Sequence, residues 1–118
     1  IQSWKVLNKW VNDNMNFPGE AYRQWIKDIY MQNKLVKKEL QLRGQRVDLG
    51  RIEANILSLG GKHDHIVLPD QARAIIDAVS SKDKKYVEFP VGHGGLVFGS
   101  LAKREVYPCI GKWLQERI

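Results

Sequence analysis

The stretch Ile56 to Pro69, ILSLGGKHDHIVLP, limits the possible folds of this chain more than any other. An apolar run of Ile56, Leu57 and Leu59 meets Gly60-Gly61, then Asp64, then an apolar restart and a proline. A short apolar run bounded by turn residues reads as a buried parallel strand, placed at about Ala54 to Leu59. The glycines end it in a tight turn that presents the Asp64 carboxylate at the strand's C-terminal edge. In open α/β sheets, sites form outside the carboxyl ends of the strands. Asp64 is therefore a candidate site residue.

A second stretch repeats the pattern. Tyr86 to Val91 is a short apolar strand, and Gly92-His93-Gly94-Gly95 follows as a flexible turn carrying one histidine. The segment between the two carries Asp70, placed to cap a helix whose apolar face is Ala72, Ile75-Ile76 and Val79. That makes a strand, helix, strand unit with an acid at one strand end and a histidine at the next. The order matches the acid-then-histidine half of an α/β-hydrolase triad, in which the nucleophile comes earlier in the chain. The chemistry suits the placement. A carboxylate can hold an imidazole tautomer or take a proton, and an imidazole titrating near neutrality can deprotonate a nucleophile. His63 and His65 flank Asp64, but no third ligand has suitable spacing, so no metal site is expected.

The nucleophile is missing. No Gly-x-Ser-x-Gly or Gly-x-Cys-x-Gly elbow occurs in the 118 residues. The single cysteine, Cys109, sits in YPCIGKW inside a final helix and reads as a buried apolar filler. The chain begins with Ile, and a fragment of a longer enzyme with the nucleophile upstream is the expectation.

Other features narrow the class. Net charge is +6, but most Lys and Arg interleave with Asp and Glu. The densest basic patch, Lys34 to Arg46, lacks stacking aromatics and a glycine-rich phosphate cradle, so nucleic-acid binding is not expected. No apolar run approaches the ~20 residues of a membrane span. One cysteine gives no internal disulfide, and a reducing cytoplasmic compartment is the default.

Ahead of the first strand, Trp4, Leu7 and Val11 with Trp10 alongside suit an amphipathic helix. A loop through Pro18 breaks it, and a second helix runs from near Gly19 through Gln32, with Tyr22, Trp25-Ile26 and Ile29-Tyr30 at helical spacing. Trp4, Trp10 and Trp25, taken singly, read as core packing. Together they make an aromatic helical layer that could cap a site. Glu39 to Leu49 alternates around Gly44 and reads as a hairpin or extended arm. The last helix, roughly Leu101 to Arg117, is expected to bend near Pro108 and to bury Val106, Ile110, Trp113 and Leu114.

These motifs carry a family resemblance. WVNDNMNFPGEAYRQW, ILSLGGKHDHIVLP, VGHGGLVFG and YPCIGKWLQER occur in order. They resemble the C-terminal portion of polyhydroxyalkanoate synthases, nearest the two-component enzymes of class III and class IV. The resemblance covers essentially the whole chain. It implies the C-terminal part of an α/β-hydrolase fold, a few parallel strands flanked by helices, preceded by a helical cap. Residues 1–50 would be cap and extended arm, and residues 51–118 core. It implies polymerisation of (R)-3-hydroxyacyl-coenzyme A into polyester through a cysteine nucleophile. His93 would activate that cysteine, and Asp64 would activate the 3-hydroxyl of the acyl unit. It implies no cofactor, since the coenzyme A thioester is substrate. It also implies a second synthase subunit of the PhaE or PhaR type, self-association, and work at the granule surface. Two alternatives stand beside it: another α/β-hydrolase such as an esterase or thioesterase, and a non-catalytic basic module docking on a partner subunit or granule.

Overall fold

Parallel strands need a crossover that returns the chain to the same sheet edge, and the segment between Gly61 and Lys84 supplies one. The computed structural model describes residues 2–118, with side chains from Trp4 onward. The chain divides into a unit ending at Val47 and a unit from Asp48 to Ile118.

The first unit holds helices α1 (Gln2–Asn12) and α2 (Gly19–Gln24) and a short hairpin. α2 continues into a π-helical segment, Trp25–Met31. It closes with Asn33 in the left-handed conformation at φ 51, a position where asparagine is tolerated. Lys34 Nζ donates to Asp28 Oδ1 at 2.8 Å across that end. Strands β1 (Gln41–Leu42) and β2 (Gln45–Arg46) pair antiparallel. Arg43 and Gly44 turn between them at φ 50 and 76. Two positive values in a two-residue loop match the right-handed twist of the strands, so the expected hairpin forms around Gly44.

The tryptophans of this unit are not core residues. Trp4 is 66% exposed, Trp10 63% and Trp25 47%, which corrects the expectation of core packing. Helical spacing defines a face but not what covers it. Within the unit, Leu40 is the buried hydrophobic residue among those described. The Phe17, Tyr22 and Trp25 rings gather instead at the surface, with centroids 6.0–6.3 Å apart.

The second unit is built on β3 (Ile56–Gly61) and β4 (Lys84–Phe89), paired parallel from Ile56↔Lys84 to Gly61↔Phe89. The unit is therefore of mixed α/β type. Both strands depart from their expected bounds. β3 runs through the two glycines because they pair with Glu88 and Phe89. β4 starts at Lys84 and stops at Phe89, where the Val91 N–H turns back onto Phe89 O at 2.8 Å. Helix α3 (Pro69–Ala78) crosses over on the face that carries Ser58, whose hydroxyl donates to Ala72 O at 2.6 Å. Ala72, Ile75 and Ile76 are half-buried and Val79 is buried, as the spacing predicts. Asp70 does not cap this helix. Leu68 holds the cap position, Pro69 opens the first turn, and Gln71 Oε1 reaches back to accept the Leu68 N–H at 3.0 Å. Asp70 lies inside the first turn, where its charge complements the helix dipole.

The opposite face of the sheet meets the last helix. A π-helical segment, Ala102–Val106, leads into α4 (Tyr107–Gln115). Pro108 explains the widening: it offers no N–H to the carbonyl one turn back and its ring crowds that oxygen. Tyr107 N–H bonds instead to Ala102 O, an i to i−5 bond. Ala102 and Val106 are fully buried and Ile110 and Trp113 half-buried, but Leu114 is 49% exposed, against expectation. Arg117 anchors the C-terminus. Its Nη2 donates to Asp83 Oδ1 at 2.8 Å and its guanidinium lies 4.1 Å from the centre of the Trp113 ring. That guanidinium holds the Asp83 carboxyl below its usual range. No helix among the described residues is long and apolar enough to cross a membrane.

Candidate active site

The two parallel strands end at one edge, and the ladder continues past them. Lys62 N–H donates to Phe89 O at 2.8 Å, and His63 N–H to Val91 O at 3.0 Å. This zips the turn after β3 to the loop after β4. Asp64 N–H then closes a tight turn onto Gly61 O at 3.0 Å. The loop after β4 coils into a 3₁₀ turn, His93–Leu96. Across this junction Asp64 Oδ2 and His93 Nδ1 are 2.9 Å apart. The residues singled out from sequence thus meet in one hydrogen-bonded pair.

Burial divides the pair. The Asp64 side chain is 2% exposed and the His93 side chain 51%. The other carboxylate oxygen, Oδ1, accepts the N–H groups of Ile66 at 2.8 Å and Val67 at 2.9 Å. Burial pushes the Asp64 carboxyl up. The Val67 N–H, the His93 ring and the Ile66 N–H outweigh it, and the net shift is below the ordinary value. Asp64 is therefore an ionised, fully engaged acceptor. Its Oδ2 faces Nδ1 of His93; when that nitrogen carries the ring proton, Nε2 is left as the acceptor. The missed signal is the Asp-His-Ile-Val order itself, since an aspartate commonly accepts from backbone N–H groups two and three positions on.

Gly61 permits this approach. A Cβ there would stand 2.6 Å from Val91 O and 3.3 Å from Asp64 Cβ. Gly61→Ala is expected to force the two strand ends apart and to lower stability by about 1–3 kcal/mol, the usual range for overpacking. Denaturant melts measure it; an unchanged midpoint and m-value would mean that the strand ends are not this close.

Cys109 lies elsewhere. It shares a cavity of about 100 Å³ with Leu57, Lys85, Lys112, Trp113 and Glu116. Leu57 and Lys85 belong to the beginnings of β3 and β4, so Cys109 flanks the end of the sheet remote from the pair. It is half-buried and does not join Asp64 and His93. His63 and His65 are exposed, and no group of three His, Cys, Asp or Glu side chains among the described residues could hold a metal ion.

Comparison with known proteins adds to this geometry. Residues 8–117 match the family described as PHB de-polymerase C-terminus. The chain belongs to this family. It is 39% identical over 117 residues to the poly(3-hydroxyalkanoate) polymerase subunit PhaC of Allochromatium vinosum, covering 99% of the chain and 33% of that relative. The PhaC subunit of Haloferax mediterranei is 35% identical over 117 residues, covering 99% of the chain and 24% of the relative. That of Synechocystis sp. is 38% identical over 112 residues, covering 94% and 30%. The chain thus spans about a quarter to a third of these relatives' length. The family resemblance carried by its motifs is borne out. No solved structure matches the chain.

Proposed function

We propose that this chain supplies the acid and histidine of an acyltransferase that polymerises (R)-3-hydroxyacyl-coenzyme A. The observation that carries the reading is the 2.9 Å contact between buried Asp64 and half-exposed His93. The polymerase names of the relatives support this reaction among those such a pair could serve. On this reading the second unit is the C-terminal part of an α/β-hydrolase fold and the first unit belongs to its cap. The nucleophile is a cysteine thiol outside these residues.

His93 Nε2 takes the thiol proton. The thiolate attacks the thioester carbonyl, coenzyme A leaves as its thiolate, and the proton on Nε2 goes to that leaving sulfur. The acyl group is then bound to the cysteine as a new thioester. In elongation the 3-hydroxyl of one acyl unit gives its proton to Nε2 and attacks the thioester carbonyl of the next; the ester forms as the carbon–sulfur bond breaks, and the proton on Nε2 goes to the departing sulfur. Asp64 acts through the ring. Its burial and the two backbone N–H groups on Oδ1 support orientation of His93 over direct contact with substrate.

The family description favours a second reading, ester hydrolysis by the same pair. The protein that carries this chain should convert (R)-3-hydroxybutyryl-coenzyme A to insoluble polyester with release of free coenzyme A. Release of monomeric hydroxyacid without polymer would select the hydrolytic reading. No turnover of either thioester or polyester would overturn both.

A further inference from the structure

We propose that Tyr107 is a positioning residue for His93, an inference that deepens the proposed function and rests on it. The ring of His93 is half-exposed, and its Nδ1 is hydrogen-bonded to Asp64. The loop that carries it is coiled on itself. Gly95 N–H donates to Gly92 O at 2.9 Å, Val97 N–H to Gly94 O at 3.1 Å, and Phe98 N–H to Gly94 O at 2.8 Å. These bonds give the loop a shape, and His63 N–H to Val91 O ties its near end to the turn after β3. Beyond His93, the Tyr107 hydroxyl ties the loop to the last helix by donating to the carbonyl of Val97.

The helix is built to make that reach. Ala102 and Val106 are buried and fix the π-helical segment in place. Its i to i−5 bond, Tyr107 N–H to Ala102 O, inserts one extra residue into the turn. One residue turns every later side chain by about 100° relative to an unbroken α-helix. Tyr107 is the first residue after the insertion, and this rotation aims its phenol back at the loop. Pro108, next in the chain, makes the widened turn the favoured one. The proline-induced irregularity thus links a buried helix to the loop that presents the imidazole. Losing the hydroxyl frees the distal half of the loop, and His93 then spends less time within reach of Asp64.

The test uses the protein that carries this chain, with Tyr107→Phe to remove the hydroxyl and Tyr107→Leu to remove the ring as well. Ring ¹⁵N spectra of selectively labelled His93 report the Nδ1–H tautomer held by Asp64. Steady-state polymerisation reports kcat and KM. Both variants should show a larger share of the Nε2–H tautomer. Their kcat should fall roughly threefold to tenfold, the worth of one hydrogen bond, with KM unchanged. His93 spectra and kcat identical to wild type in Tyr107→Phe would overturn the proposal. Equal loss of kcat and rise of KM with an unchanged ring spectrum would also overturn it, because the hydroxyl would then serve only general stability. If the wild type polymerises nothing, the spectra still decide the positioning role, and the functional reading alone fails.

Discussion

His93→Ala is expected to slow acylation of the protein by hydroxyacyl-coenzyme A by roughly 10²–10⁴-fold, the usual worth of a general acid–base residue. A free thiol has pKa of about 8.5, so little thiolate exists at neutral pH without a base beside it. In this fold His93 is placed by the ladder past the strand ends, His63 N–H to Val91 O, and by the coil of the loop after β4. Half-exposure of the ring leaves Nε2 open to an incoming thiol. Single-turnover acylation, followed by coenzyme A release, measures the effect. Raising the pH should recover part of the loss, since the thiol then ionises unaided. Wild-type rates in both acylation and polymer formation would remove His93 from the mechanism and leave the chain a structural relative of the polymerases.

Asp64→Asn is expected to reduce acylation and elongation together, by roughly 10²–10⁴-fold. An asparagine can still offer Oδ1 to the Ile66 and Val67 N–H groups, so the turn survives. Its amide, however, turns a donor toward Nδ1. The ring must then carry its proton on Nε2, where it can no longer accept one. Were Asp64 instead to activate the 3-hydroxyl directly, the first acylation would survive and only elongation would fail, leaving a short covalent acyl-enzyme. Side-by-side measurement of acyl loading and polymer yield distinguishes these outcomes, and selective loss of elongation would overturn the orienting role. The same substitution has a pH signature. The folded carboxyl titrates below its ordinary value of 3.8. Its ionised form therefore stabilises the fold fully above that value, and the contribution is lost as pH falls through the lower folded value. The stability gap between wild type and Asp64→Asn should be constant near neutrality and close in acid. Denaturant melts across pH measure it, and a gap unchanged into strong acid would contradict an ionised, engaged Asp64.

The pairing of Asp64 with His93 was legible before any coordinates. A strand, helix, strand order with both strands parallel brings both strand ends to one edge, because the crossover carries the chain back to start the second strand where the first began. Residues just past each strand must then be neighbours. Gly61 at the end of β3 and Gly92, Gly94 and Gly95 around His93 mark where the chain leaves the strands, and at Gly61 only a small residue fits where two backbones approach closely. Local turn chemistry was legible too, as with Gly44 in the hairpin.

What sequence alone determined is therefore the element order, the parallel pair and the two residues that meet at its edge. All three follow from local pattern and connectivity. Tertiary structure decided the rest. Spacing put Trp4, Trp10 and Trp25 on helix faces, but burial depends on what packs there, and they are exposed. It placed Asp70 near a helix start, but the backbone turn at Leu68 and Pro69 took the cap. It marked Pro108 as a disturbance, but only the three-dimensional path of the helix shows a widened turn that aims Tyr107 at Val97. Likewise the split between a buried Asp64 and a half-exposed His93 comes from packing around the turn. Periodicity and residue type are local properties, whereas cover, aim and exposure belong to neighbours that are distant in the chain.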